Sequence, residues 1–155
     1  PIEDNLGMEA LAHYHRALIV GLEAVQNGGT PIAALSGAVP VFDKRLDAPA
    51  GLQLTGLDAH GADLFAVFRG YAPETGSIID VRRFPQIGGI GERLVRLERP
   101  LLADNFEGIA VTAINEQTLR LYIISDDNFS RRQKTLLFAF DVSSSSEASR
   151  SATAP

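Results

Sequence analysis

The chain has 155 residues, a formal net charge of −5 and no cysteine. That length fits one domain, and the acidic balance argues against nucleic acid, whose phosphates demand a basic face. Disulfide and thiolate chemistry are excluded, and no apolar run approaches the ~20 residues of a membrane-crossing helix.

The first patterned segment is "GMEALAHYHRALIVGLEAV" from Gly7. It contains good helix formers, but the run "ALIVGL" and its likeness to two later segments favour strands. "NGGTP" at Asn27 punctuates the chain, and "VPVFDK" at Val39 alternates apolar and polar residues, the mark of a half-buried strand. After a turn at "DAPAG" comes "TGLDAHGADLFAVFRG" from Thr55, which ends in a β-type apolar run. "YAPETG" and "PQIGGIG" are further Gly and Pro breaks, and "ERLVRLER" from Glu92 alternates again. The third patterned segment, "NFEGIAVTAINEQTLRLYIISDD" from Asn105, leads into the polar knot "SDDNFSRRQ" and a last alternating run, "KTLLFAFDV" from Lys134. The remainder, residues 143–155, is a Ser-rich low-complexity tail expected to be disordered. No signal peptide is visible. A chain that opens on Pro1 without an initiator Met reads as a processed product or a piece of something longer.

The three patterned segments resemble one another. Each has an apolar residue, an acid and a small residue, then a short polar gap and an apolar run. The acids are Glu9, Asp58 and Glu107, and both intervals are 49 residues. Short strands in units of roughly 40–50 residues are the mark of a β-propeller with four strands per blade. The expectation is therefore an all-β chain of about three four-stranded antiparallel blades over residues 1–142. Three blades cannot close a ring, so the chain reads as half of a six-bladed or similar propeller, completed by a missing half or a second copy. A small sandwich with chance self-similarity is the alternative.

Two groups of residues are candidates for chemistry. Equivalent acids of successive blades can converge around the axis, and carboxylates meeting there suit a hard cation such as calcium, which takes ~6–8 oxygen ligands. Calcium on a phosphate oxygen would neutralise charge and polarise phosphorus toward water. The competing account is that each acid satisfies backbone N–H groups at a strand entry, and this is the favoured one for Asp58. In the knot, Asp126, Asp127 and Asn128 offer oxygen ligands, and two acids held close can raise one pKa for acid–base work. The competing account is a turn built on Asx hydrogen bonds, with Phe129 tucked into the core and Arg131 and Arg132 in solvent. Aligned on the repeat, the knot corresponds to "GLEAV" and "FRGYA" of the earlier units, so it is special to one blade. Arg69, Arg82 and Arg83 are candidates for phosphate contact, since a guanidinium presents paired donors to oxyanions. Inter-blade salt bridges are the alternative.

Several classes drop out. There is no G-x-S-x-G elbow and no H-E-x-x-H. His13 and His15 without a third ligand make a poor zinc site, and His60 reads as a turn residue. "GGIG" at Gly88 lacks the strand-to-helix setting of a phosphate loop, and the knot lacks the alternate acids of an EF-hand. Asn128-Phe129-Ser130 matches a glycosylation sequon, a weak signal.

With these residues laid out, "DNFEGIAV" from Asp104 and "LYIISDDNFSRRQKTLLFAFDV" from Leu121 resemble the C-terminal signature of the phytase-like family, the domain described as esterase-like activity of phytase. "NLGMEALA" from Asn5 resembles the preceding unit. "FRGYAP" and "VRRFPQIGGIGERLVRL" resemble the Arg-and-Phe strand with its Gly-rich turn. The resemblance spans residues 1–142. It implies a β-propeller of secreted or cell-envelope bacterial proteins, near twice this length, with phosphoesterase activity assigned from its repeated acids. Asp58 in place of Glu, and "VFRGYAP" without a terminal acid, depart from the pattern. The resulting expectations are Asp126, Asp127 and Glu107 as catalytic groups and Glu9, Glu107, Asp126, Asp127 and Asn128 around calcium. Arg69 and Arg83 would bind a phosphorylated small molecule. A non-catalytic binding or scaffold module of the cell envelope is the other reading.

Overall fold

The structure is a computed structural model that describes residues 7–35, 40–101 and 103–144. Among the described residues it is all β, with eleven strands in three antiparallel sheets. The first sheet holds β1 (Met8–Tyr14), β2 (Ala17–Leu22), β3 (Gly29–Leu35) and β4 (Val41–Asp47). The second holds β5 (Gln53–His60), β6 (Asp63–Ala72), β7 (Gly76–Phe84) and β8 (Glu92–Leu97). The third holds β9 (Phe106–Asn115), β10 (Thr118–Ser125) and β11 (Leu137–Ser143). Within each sheet the strands lie in sequence order, so each is a local meander like a propeller blade. The third sheet has three strands rather than the expected four among the described residues.

Local chemistry explains the elements. "MEALAHYHRALIVGL" folds as the β1–β2 hairpin, because alternate residues Ala10, Ala12 and Ile19 are buried against the second sheet. The β5–β6 turn needs Gly61, whose φ of 60° is left-handed. Pro31 sits inside β3 rather than in a gap. The β2–β3 pairing stops at Gly21 with Ile32, so no β2 ladder bond calls on the missing N–H of Pro31, while on its other side it pairs with Arg45 of β4.

The second sheet is covered on both sides. Leu64, Ala66 and Phe68 of β6 pack toward the first sheet with Leu54, Leu57, Ile32 and Leu46. Phe65 and Val67, pointing the other way, pack with Ile79, Val81, Phe106, Leu119, Leu121 and Ile123 of the second seam. This is why "LFAVF" is a continuous apolar run while its neighbours alternate. The outer sheets have one covered face each. On the first, Leu11 and Leu18 stay exposed beside a shallow cavity of about 320 Å³ lined by Met8, Leu11, Val20 and Leu35. On the third, the opposite face carries the exposed pair Ile124 and Leu137 and a two-pronged Arg120–Asp141 bridge at 2.6 and 2.8 Å.

Polar ties cross both seams. At the first, Arg82 donates to Asp80 (2.8 Å) and to Asp47 of β4 (3.0 Å), while Arg96 reaches the other Asp80 oxygen at 3.4 Å. Asp80 is fully buried. At the second, the Thr55 hydroxyl donates to the Phe106 carbonyl (2.9 Å) and the Asp58 carboxylate accepts from the Val111 N–H (2.7 Å). Arg83, itself buried, grips Asp63 and donates to the Ser143 and Ser144 carbonyls.

The expected tail lies mostly outside the described residues. Its first two residues are ordered: Ser143 closes β11, and Ser144 donates from its N–H to Gln117 O at 2.9 Å and from its hydroxyl to Glu116 O at 2.6 Å. Among the described residues no helix is long and apolar enough to cross a membrane.

Candidate functional site

The innermost strands β1, β5 and β9 lie side by side and start at the same end of the molecule. Each carries a bulge in its first turn of pairing. The breaks fall at Glu9 in β1, at Thr55 in β5 and at Glu107 in β9. A bulge re-aims the extra side chain off the sheet, which suits a site. The equal 49-residue spacing is therefore not the structural register. Asp58 lies three residues beyond the bulge of its strand, and Thr55 stands where Glu9 and Glu107 stand. Both Asp58 oxygens accept backbone N–H groups, from Ala59 (2.8 Å) and Val111 (2.7 Å), as favoured for it from the sequence.

The second strand of each sheet arrives at the same end. Leu22, Phe68 and Ser125 pair with Met8, Leu54 and Phe106, so Glu23, Arg69 and Asp126 occupy equivalent positions just beyond. The correspondence of "GLEAV", "FRGYA" and "SDDNFS" holds in this register.

Together these two rows build a charged cluster from all three sheets. Arg69 donates to the side-chain oxygen of Asn105 and lies 3.8 Å from Glu107. The Asn105 amide also donates to Glu107 at 2.6 Å, and Asn105 is buried. Arg69 Nε is buried with no hydrogen-bond partner among the described residues. The Glu23 pKa is raised above the ordinary glutamate value, first by burial, then by the charge of Glu9, with Glu107 adding and Arg69 opposing. Glu9, Glu23 and Glu107 thus share one field around Arg69. Glu23 and Asn105 were not candidates from the sequence. The acid in "GLEAV" was the available signal for the first, and the N of "DNFEG" for the second.

The folded state holds the Glu23 proton to higher pH than the unfolded chain does. Stability therefore falls as pH rises from the ordinary value of 4.5 through the raised one. Glu23→Gln removes that loss. Thermal melts should give the variant a higher Tm than the parent at pH 7 and an equal one below pH 4.5; a difference independent of pH would contradict the coupling.

The knot adjoins this cluster, as the Asp126 N–H donates to Asn105 O at 3.0 Å. Its side chains serve the turn. Asp126 accepts from the Asn128 N–H (3.0 Å) and Asp127 from the Phe129 N–H (2.9 Å), both Asx geometries, while Asn128 donates to Gln133 at 3.3 Å. Asn128 and Phe129 have φ of 49° and 54°, which swings Phe129 fully into solvent instead of the core. Glu9, Glu107, Arg69 and Asp126 are brought to one end; Arg83 is not. It lies near the start of β6, at the opposite end, with its donors committed to the seam.

Oxygen donors of this kind suit a hard cation. Among the described residues, however, no three acidic or histidine side chains gather closely enough to hold a metal ion. No family model matches the chain, and no curated protein matches it.

Proposed function

We propose that the chain forms three blades of a phytase-like β-propeller, from a secreted or cell-envelope protein, and that the end bearing Glu9, Glu23, Arg69 and Glu107 handles phosphoric esters. The observation that carries this reading is the convergence of three glutamates and one arginine from three sheets, Glu9 and Glu107 on bulges that aim them off the strands. Arg69 is the group suited to phosphate oxygens. Glu23, holding its proton to higher pH, is suited to donate it to a leaving oxygen. Glu107 and Asn105 position the Arg69 guanidinium. A carboxylate-rich field repels a phosphate ester, so calcium would be needed to neutralise it. Glu9 and Glu107 would supply two of its oxygens, with substrate and water supplying the rest. The ring is completed by further blades or a second copy covering the exposed apolar face of β1 and β2.

The second reading is a non-catalytic binding or scaffold propeller. It is favoured by Asp126 and Asp127, whose carboxylates are engaged in the turn, and by Arg83, engaged in a seam. Turnover of a generic phosphomonoester, measured with and without calcium, separates the two. The hydrolase reading expects calcium-stimulated turnover that falls at least tenfold in Glu107→Gln, the scale of losing a charged group from a site. Absence of turnover in both conditions leaves the binding module.

A further inference from the structure

A second feature at the same end of the molecule lies outside the glutamate cluster. A cleft of about 370 Å³ opens between the second and third sheets, lined by Tyr71, Ser77, Arg99, Leu101, Asp104 and Arg132 among others. Three separate parts of the chain meet there: the β6–β7 hairpin, the segment after β8, and the knot. Arg99 has one long contact, to the Glu74 carbonyl at 3.4 Å, and its guanidinium lies over Gly76, where a Cβ would stand 3.0 Å away. The Arg132 guanidinium has no hydrogen-bond or ion-pair partner among the described residues, and the Ser77 hydroxyl has none either. The acid that lines the cleft, Asp104, is already turned to backbone, accepting from the N–H groups of Asn105 and Lys134 at 2.9 Å each. Two guanidiniums therefore line the cleft with no carboxylate in salt-bridge range among the described residues, in a protein whose net charge is −5. Two arginines on one concavity, neither neutralised by a described carboxylate, concentrate positive potential there. Arginine forks match the oxygens of a tetrahedral oxyanion. The Tyr71 ring, 73% exposed on the rim, offers a flat surface to whatever carries the anion.

We propose that this cleft is an oxyanion subsite for a phosphate carried on a flat organic body, with Arg99 and Arg132 holding the phosphate, Ser77 donating to it and Tyr71 stacking on the body. Arg132, expected from the sequence to sit in solvent, is then the group that the knot brings to the phosphate. Asp104 joins the cleft to the glutamate cluster through its neighbour Asn105. The proposal rests on the cleft alone and holds whether or not the cluster is catalytic.

Isothermal titration of the full chain with inorganic phosphate and with phenyl phosphate, in the presence of a chelator, tests it. Both should bind saturably, phenyl phosphate more tightly, and affinity should fall as salt rises. Arg132→Gln, at an exposed position that leaves the fold intact, should weaken both ligands about tenfold, the loss of one charged hydrogen-bonding group. Tyr71→Ala should weaken phenyl phosphate alone. Arg120→Gln, on the far face of the third sheet and outside both the cleft and the cluster, should leave this binding unchanged, which separates the cleft from general charge. No saturable binding by the parent, or binding indifferent to Arg132→Gln, overturns the proposal. Equal affinity for the two ligands removes the stacking role of Tyr71 and overturns the organic body as part of the ligand.

Discussion

Replacing Asp80 with alanine is expected to lower stability by about 3 kcal/mol, the scale of breaking a buried ion pair. Asp80 is fully buried on β7 and holds Arg82 at 2.8 Å and Arg96 at 3.4 Å. Both arginines are only partly exposed, so removing the carboxylate strands two charges that water reaches poorly. Arg82 is also the tie to Asp47 of the first sheet, so the loss spreads to the seam between sheets. Asp80→Asn keeps the shape and one acceptor oxygen, and should fall between the parent and Asp80→Ala. Urea denaturation measures it. A loss under about 1 kcal/mol for the alanine variant, the scale of a surface pair, would mean that the arginines re-solvate freely.

Gly56→Ala is expected to cost about 2 kcal/mol, the scale of overpacking a tight contact. A Cβ on Gly56 would stand 2.8 Å from the Glu107 carbonyl oxygen, and backbone cannot turn aside as a side chain can. The strain falls on β9 at the residue that faces Arg69, so the glutamate cluster should suffer with stability. Gly108→Ala is the comparison. Its Cβ would meet a methyl of Ile124 at 2.7 Å, at the edge of an exposed side chain that can change rotamer. Equal losses in the two variants, read by the same denaturation, would contradict the close approach of β5 to β9 as the cause.

Much of the fold is legible in alternation. "VFDK", "ERLVRL" and "LFAF" read as half-buried strands and are β4, β8 and β11. β3 and the first half of β7 were hidden, since Gly29 and Pro31 look like punctuation until the pairing register places both opposite β4, at Asp47 and Arg45. The site is partly legible. Glu9, Glu107 and Arg69 carry a visible repeat or charge. Asp58 was misaligned because bulges and turn lengths compensate: the gap from bulge to bulge differs between units, while an unrelated acid falls at the even spacing. Arg69 and Arg83 look alike in sequence, and only strand direction sends them to opposite ends. The exposure of Phe129 depends on two left-handed residues, Asn128 and Phe129, which no periodicity encodes.

The double coverage of the second sheet also sets the order in which the molecule can open. The first and third sheets each release by giving up one seam, whereas the second must give up two, so amide exchange has its slowest protons on β6 and β7 and fraying starts at the flanks. Each meander forms from near neighbours in the chain and is quick to close, while the seams join residues some 50 positions apart, as Thr55 with Phe106, and form later. The cluster of Glu9, Glu23, Arg69 and Glu107 draws on all three sheets, so it is complete only after the last docking event and is the first thing lost when either flank lifts.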